Sequence, residues 1–204
     1  MPDFIPAGLV FDCDGTLADT MPLHWRAWSE LADQHRIEFS EHRFYSLGGV
    51  PTRDILRMLA HEQERADLDP IALARHKEEL YLRFLPEVTP VEEVVSIARE
   101  HRGRIPMSVA SGGSRHAIRH ILEHLNILDW FDAVVTNEDV TLQKPAPDIF
   151  LEAARRMAVD PARCRAFEDT DLGMQAIRAA GMDAVDVRFM RTGLPPAAYG
   201  ALGK

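Results

Sequence analysis

The stretch Gly8-Leu9-Val10-Phe11-Asp12-Cys13-Asp14-Gly15-Thr16 decides the fold, because a short apolar run stops there at an acidic turn. Such a run, bounded by a turn, is typical of a buried strand. Side chains two residues apart in an extended chain share a face, so Asp12 and Asp14 are expected to point into one cleft. Gly15 permits a tight turn with positive φ. Neighbouring carboxylates repel, which raises one pKa and leaves a protonated acid beside an ionised one. An ordinary acidic turn is the alternative for the Asp-Gly dipeptide alone.

Beyond Pro90, short apolar strands and amphipathic helices alternate along the chain. The expected strands are Met107–Ala110, Ala133–Thr136, Arg165–Phe167 and Ala184–Val187. The expected helices carry Val91–Ala98, Ile118–Leu125, Phe150–Ala154 and Leu172–Ala180, with Gly181 ending the last one. Apolar strands separated by helices predict an α/β fold with a Rossmann-like parallel sheet that is covered on both faces.

The segment after the acidic turn breaks this alternation, because strand signals vanish up to about residue 87. Pro22 suits the first turn of a helix, and Thr52 suits the start of another. Asp69-Pro70 suits the cap and first position of a third helix, which is expected to extend to Phe84. The predicted domains are a discontinuous α/β core, residues 1–18 and 89–204, and an inserted helical domain, residues 19–88.

The composition of the 204 residues excludes several classes of protein. Apolar residues make up 46% and charged residues 27%, which excludes intrinsic disorder and a disulfide-dense scaffold. The net charge of −9 argues against binding to nucleic acid or to an anionic membrane. No run approaches the ~20 apolar residues of a membrane span, and the first ten residues lack a signal-peptide pattern. Because Cys13 and Cys164 cannot form a disulfide framework, we expect a reduced, cytoplasmic protein.

Polar residues follow three further predicted strands, at the edge of a parallel sheet where ligands bind. Ser111 begins a glycine loop before a helix, where a hydroxyl and free N–H groups can hold a phosphate oxygen; a helix-capping role is the alternative. Lys144 lies in a stiff, proline-flanked segment, and a solvated lysine is the alternative. Glu168 and Asp169 suit a hard cation, unless Asp169 or Asp171 caps the next helix.

These acidic groups need cations if they converge around a phosphate. Two unit charges ~4 Å apart repel by roughly 4 kcal/mol at an effective dielectric constant of about 20. Together, Mg²⁺ and Lys144 supply about three positive charges, close to what the carboxylates and a phosphate dianion lack. Mg²⁺ takes a few carboxylates plus phosphate and keeps several waters, whereas no His or Cys cluster has the spacing of a zinc site. The sequence therefore predicts Mg²⁺ as the cofactor.

The succession Asp12-x-Asp14-Gly15-Thr16, Ser111, Lys144 and Glu168-Asp169 resembles the motifs of the haloacid dehalogenase superfamily, over nearly the whole chain. The helical insertion is similar to that family's small helical cap. Within the insertion the chain resembles β-phosphoglucomutase and related sugar phosphatases, and most of all a bacterial type that acts on fructose 1-phosphate. This closer resemblance is carried by Thr20, His24, Arg26-Ala27-Trp28, Gly49, Pro51-Thr52, Arg53, Ala66–Pro70, Ala72–Arg75 and Lys77.

The resemblance implies a hydrolase that removes phosphate from a small phosphorylated sugar through an aspartyl phosphate. Asp12 would attack phosphorus, and Asp14 would protonate the leaving alkoxide and then take a proton from the attacking water. Ser111 and Lys144 would hold the phosphoryl oxygens. The implied ligands of Mg²⁺ are Asp12, the backbone carbonyl of Asp14, Asp169 and, through water, Glu168.

The resemblance also implies a set of substrate contacts. They are Thr16, His24, Gly49, Arg53, Lys77, Ser111, Gly112 and Arg115. His24 would gate Asp14, with helix packing beside Trp28 as the alternative. Arg53 and Lys77 would recognise the sugar or its phosphate, with solvated charges as the alternative. Closing of the cap would exclude water, and such a capped enzyme is expected to be a monomer or weak homodimer.

Other functions remain open at this point. A β-phosphoglucomutase, which interconverts glucose 1-phosphate and glucose 6-phosphate, uses the same aspartyl phosphate, and His24, Arg53 and Lys77 are compatible with it. Thr16 stands where such mutases usually carry valine, and Arg115 where they use an amide, which favours hydrolysis. The non-enzyme alternative is a catalytically silent relative that binds a phosphorylated ligand, although each expected catalytic position is filled. A signalling receiver domain is disfavoured by the large helical insertion.

Overall fold

The computed structural model describes residues 4–191 and contains one parallel sheet. Its strands are β1 (Gly8–Phe11), β2 (Met107–Ala110), β3 (Ala133–Val135), β4 (Cys164–Glu168) and β5 (Asp183–Asp186). They lie in the order β3-β2-β1-β4-β5, so the first strand is central. In register, Phe11 lies opposite Val109 on β2 and Phe167 on β4.

Helices precede and follow the strands. The α-helices are α1 (Met21–His35), α2 (Glu41–Ser46), α3 (Thr52–Glu62), α4 (Pro70–Leu82), α5 (Glu92–His101), α6 (Arg115–His124), α7 (Asp148–Met157) and α8 (Asp171–Ala179). Short 3-10 turns span Leu85–Glu87, Leu128–Trp130, Asn137–Asp139, Pro161–Arg163 and Val187–Phe189.

The side chains of β1 alternate between two apolar layers. Leu9 and Phe11 belong to one buried cluster, which includes residues of α5 and α6. Val10 belongs to the other, which includes residues of α7 and α8. The sheet is thus covered by helices on both faces, which is why its central strands β1 and β2 are buried along their whole length. The predicted α/β fold with a parallel sheet is confirmed.

Helices α1–α4 all lie between β1 and α5, in the segment where the sequence lacks strand signals. The carboxylate of Asp69 caps α4 by accepting from the N–H groups of Ile71 (2.9 Å) and Ala72 (3.2 Å), and Pro70 is the first helical residue. Apolar residues of these helices, such as Trp28 and Leu56, continue the cluster that contains Phe11.

The outgoing and returning ends of this helical segment lie side by side. The N–H of Asp19 donates to the carbonyl of Thr89 (2.8 Å), and Ala18 forms an antiparallel bridge with Pro90. Within residues 4–191, no helix combines the length and apolar character needed to cross a bilayer.

Several predicted ends of elements are wrong by a few residues. The helix expected to extend to Phe84 ends at Leu82, because Pro86 has no N–H to donate to the Leu82 carbonyl, and a 3-10 turn over Leu85–Glu87 follows. The third strand ends at Val135, since Thr136 starts a 3-10 turn by donating its N–H and hydroxyl to Asp139.

Two further differences concern short or amphipathic elements. The fifth strand begins at Asp183 and ends at Asp186, so that Val187 belongs to a 3-10 turn. Leu151, expected on the apolar face of a helix, is 39% exposed, and α7 is buried instead through neighbours such as Phe150 and Ala154. Helix α2 was not predicted, because six residues are too few to display a periodic pattern.

Candidate active site

Polar side chains from distant parts of the chain meet at the carboxyl edge of the sheet. Asp12 follows β1, Ser111 follows β2, and Glu168 ends β4. Lys144 comes from the segment between β3 and α7, where its peptide bond to Pro145 is cis. Because parallel strands end at a common edge, residues far apart in sequence become neighbours here.

Lys144 bridges two buried carboxylates. Its Nζ donates to Asp12 Oδ1 and to Glu168 Oε2, each at 2.7 Å. Burial alone would lower the pKa of Lys144, but the charges of Asp12 and Glu168 outweigh it and raise that pKa above its usual value. The side chain is 7% exposed and remains charged, which excludes the alternative of a solvated lysine.

Asp12, Glu168 and Asp169 form a cluster that fits a divalent cation. One carboxylate oxygen from each lies within 4.8 Å of the others. Burial and the charge of Glu168 raise the pKa of Asp12 well above its usual value, and the same causes raise the pKa of Asp169 to about 8. Burial and the repulsion between the carboxylates together therefore outweigh the opposing charge of Lys144. Three neighbouring carboxylates carry more negative charge than Lys144 neutralises, and Mg²⁺ prefers oxygen ligands. The residues therefore fit the predicted ion.

The turn after Asp12 packs directly against this cluster. Gly15 has a φ of +81°, and a Cβ there would lie 2.1 Å from Asp169 Oδ2, so only glycine fits. Thr16 is fully buried, and its hydroxyl donates to Asp169 Oδ1 (3.1 Å). The Thr16 hydroxyl thus orients a carboxylate of the cluster, which differs from its expected contact with substrate.

Glu168 is held by a residue that sequence reasoning missed. Thr170 donates to Glu168 Oε1 from its N–H (3.1 Å) and its hydroxyl (2.7 Å), and the same hydroxyl accepts from the N–H of Gly173. Thr170, and neither Asp169 nor Asp171, therefore caps α8. A Cβ at Gly173 would lie 2.0 Å from Glu168 Cδ, so this glycine makes room for the carboxylate.

Asp14 is surrounded by hydrogen-bonding groups. Thr20 Oγ1 donates to Asp14 Oδ1 (2.8 Å), His24 Nε2 lies 3.2 Å from the same oxygen, and Ser111 Oγ lies 3.5 Å from Oδ2. Burial alone would raise the pKa of Asp14, but the hydrogen bonds of His24 and Thr20 bring it below its usual value. The two carboxyl groups differ in pKa as expected, yet Asp12 is the one with the raised pKa and Asp14 is ionised.

His24 is fixed by two residues of α4. Lys77 Nζ lies 2.6 Å from His24 Nδ1, and the ring of Tyr81 stacks on the imidazole with centroids 3.8 Å apart. Lys77 is 3% exposed, which excludes a solvated charge, and burial lowers its pKa to about 8. Because an ammonium group only donates, His24 accepts at Nδ1 and donates from Nε2 to Asp14. Tyr81 escaped sequence reasoning, although it lies four residues after Lys77 on the same helix face.

The glycine loop places Ser111 without using it as a helix cap. Ser114 caps α6, whereas the buried Ser111 hydroxyl accepts from the N–H of Gly113 (3.1 Å) and faces Asp14. Gly112 has open space around it. Gly49, expected to contact substrate, has a φ of +84° and packs against Thr170.

Two arginines lie apart from the carboxylate cluster. Arg115 donates from its N–H and its Nε to Glu138, and from Nη2 to Asp139 (3.0 Å), so these three donors are held by acids outside the carboxylate cluster. Arg53 is 54% exposed, and the acid beside it is Asp54, at 3.8 Å. The contacts of these arginines within residues 4–191 therefore do not include the carboxylate cluster.

Comparisons with known proteins agree with this fold and site. The family model for haloacid dehalogenase-like hydrolases matches residues 6–181. A fructose-1-phosphate phosphatase of Escherichia coli, YqaB, is 44% identical over 90% of this chain and 97% of its own length. The β-phosphoglucomutase of Bacillus subtilis is 34% identical over 88% of this chain and 82% of its own length. The crystal structure of a Clostridium difficile β-phosphoglucomutase superposes with a TM-score of 0.79 at 28% identity, over 89% of this chain and 84% of that one.

The chain belongs to the haloacid dehalogenase-like hydrolase family. The predicted resemblance and the prediction of an enzyme are both confirmed by the extent of these matches.

Proposed function

We propose that this chain is a Mg²⁺-dependent phosphatase of a small phosphorylated sugar similar to fructose 1-phosphate. The observation that carries the proposal is the buried cluster in which Lys144 holds Asp12 beside Glu168, with Asp169 completing a cation site. Support also comes from the relative named as a fructose-1-phosphate phosphatase, which matches over nearly its whole length.

In the first step, a carboxylate oxygen of Asp12 attacks phosphorus, and the bond between phosphorus and the sugar oxygen breaks. The electron pair leaves with the sugar oxygen, which takes a proton from Asp14. The hydrogen bonds of His24 and Thr20 lower the pKa of Asp14 and favour its ionised form, so a proton has to reach it beforehand. His24 is placed to pass one, since its Nε2 lies 3.2 Å from Asp14 and its Nδ1 lies 2.6 Å from Lys77.

In the second step, water attacks the phosphorus of the aspartyl phosphate. Asp14, ionised, takes the proton of that water, the bond between phosphorus and Asp12 breaks, and inorganic phosphate leaves. The lowered pKa of Asp14 suits the base that this half of the reaction requires.

The remaining residues neutralise charge and hold oxygens. Mg²⁺, when bound, would supply positive charge to the carboxylates and the phosphoryl group. Asp12, Asp169, the Asp14 carbonyl and, through water, Glu168 would hold it. The ammonium of Lys144, the hydroxyl of Ser111 and the N–H of Gly112 would bind phosphoryl oxygens.

We further propose that residues 19–88 form a cap domain over a core of residues 1–18 and 89–204. Lys77 already lies buried beside His24, and Gly49 packs on the core residue Thr170. Closing of the cap would exclude bulk water and bring Arg53 towards the sugar.

The test compares phosphate release from fructose 1-phosphate and from p-nitrophenyl phosphate, with Mg²⁺ and with a chelator. The parent is expected to release phosphate when Mg²⁺ is present and not when the chelator is present. Asp12→Asn is expected to release none under either condition. The matched control is Asp33→Asn, which changes an exposed acid on α1 in the same way. An Asp12→Asn protein as active as the parent would refute the assigned nucleophile.

The mutase alternative is separated by a second incubation. Glucose 1-phosphate with a sugar bisphosphate primer is expected to yield free phosphate. Glucose 6-phosphate formed without release of phosphate would refute the phosphatase and favour the mutase.

A further inference from the structure

Arg191 joins the acidic turn to the start of the helical segment. Its Nη1 donates to the carbonyl of Gly15 (3.0 Å), and its Nη2 donates to Asp19 Oδ1 (2.7 Å). The guanidinium is 11% exposed, so it is largely shielded from water. Arg191 lies 176 positions after Gly15 in the chain, and no local pattern announces the contact.

The two acceptors of Arg191, Gly15 and Asp19, belong to different parts of the structure. Gly15 follows Asp14 and packs against Asp169, so the orientation of its peptide sets the shape of the turn beside the carboxylate cluster. Asp19 begins the connection to α1, and its N–H donates to Thr89 on the returning connection. The guanidinium of Arg191 thus links the turn of Asp14 and Gly15 to the two connections of the helical segment, at Asp19 and Thr89.

We propose that Arg191 is a positioning residue, which holds the turn of Asp14 and Gly15 in the shape that binds the cation and fixes that turn to the connections at Asp19 and Thr89. The role of the cation in this inference rests on the proposed function. The clamp, which is the pair of hydrogen bonds from Arg191 to Gly15 and Asp19, rests on the structure alone.

The chemistry of arginine explains why another cation would not serve equally. The planar guanidinium presents several N–H donors in a fixed fork, so it can bind a carbonyl and a carboxylate at once. Lysine carries the same charge on a flexible stem and lacks this fixed geometry.

The experiment compares Arg191→Gln and Arg191→Lys with the parent and with Arg178→Gln, which removes an exposed positive charge from α8. Three quantities are measured: hydrogen exchange of the backbone amides at 13–19, Mg²⁺ affinity by calorimetry, and kcat and KM with p-nitrophenyl phosphate. Loss of an outer-shell partner typically weakens metal binding by about 10-fold to 100-fold. In Arg191→Gln the backbone amides of the turn are therefore expected to exchange faster. This variant is also expected to bind Mg²⁺ about tenfold more weakly and to lower kcat by a larger factor than it raises KM.

Arg191→Lys is expected to exchange as fast as Arg191→Gln and to bind Mg²⁺ as weakly, because its ammonium restores the charge without the fork that holds both acceptors. Arg178→Gln is expected to match the parent. Parental exchange and parental Mg²⁺ affinity in Arg191→Gln would overturn the proposal.

If Arg191→Gln does not fold, Asp19→Ala serves instead, because it removes one acceptor of the clamp. Faster exchange of the turn amides and weaker Mg²⁺ binding are expected, and unchanged values would overturn the clamp. A parent that binds Mg²⁺ but releases no phosphate from any ester would refute the proposed function and leave the clamp standing.

Discussion

Replacing Lys144 with methionine would remove the ammonium that touches both Asp12 and Glu168. An ion pair at 2.7 Å is worth about 6 kcal/mol at an effective dielectric constant near 20. Much of that gain offsets the lost hydration of the buried charges, and removal of one partner from a buried pair costs about 3–5 kcal/mol. We expect Lys144→Met to lose about that much free energy of unfolding in urea without Mg²⁺. Its kcat for p-nitrophenyl phosphate is expected to fall by about 10²–10³-fold, as for loss of a group that stabilises developing charge.

Mg²⁺ supplies an internal check on this reasoning. A divalent cation would replace part of the missing charge, so saturating Mg²⁺ is expected to stabilise Lys144→Met more than it stabilises the parent. The control is Arg163→Met, which removes an exposed positive charge. A Lys144→Met protein with parental stability in a chelator and parental kcat would show that the lysine neither holds the carboxylates together nor serves the reaction.

Three further predictions test neighbouring features. Gly15→Ala is expected to bind Mg²⁺ at least about tenfold more weakly in calorimetry, because its methyl group would lie 2.1 Å from Asp169 Oδ2; equal affinity would contradict the packing argument. Arg115→Gln is expected to keep the parental kcat/KM, since the guanidinium binds acidic residues elsewhere; a marked fall would restore the phosphate contact expected from the sequence. The hydrogen bonds of Arg155 and Arg156 lower the pKa of Glu152 to about 2, so its stabilising contribution is present above the usual pKa and is lost as pH falls through the lowered one. Glu152→Gln should therefore lower the Tm at neutral pH and leave it unchanged near pH 2, and an equal Tm at neutral pH would refute the pairing.

The strand-end motifs could be predicted because their signals are local. An apolar strand that ends in Asp12 and Asp14 announces both the strand and the acidic turn within a few residues. Glu168 and Asp169 stand in the same relation to β4. Topology then does the rest, since the carboxyl ends of neighbouring parallel strands share one edge.

The partners of individual side chains could not be predicted in the same way. Thr16 contacts Asp169 across 153 positions, and the sequence around either residue carries no mark of that contact. Arg115 follows the glycine loop, as a phosphate-binding residue would, and its contacts with Glu138 and Asp139 were not predicted. The approach of His24 to Asp14 was expected only from the family resemblance, and the contacts of Lys77 and Tyr81 that fix the imidazole were not expected at all.

The paired connections at Asp19 and Thr89 have a consequence for how such molecules diversify. Because the inserted helical segment leaves and re-enters the rest of the chain at neighbouring points, a change in its length or shape does not displace the strands. The segment can therefore change in length and sequence during evolution while the buried cluster of Asp12, Lys144, Glu168 and Asp169 stays unaltered. Relatives built this way would be expected to share one reaction and differ in the molecules they admit.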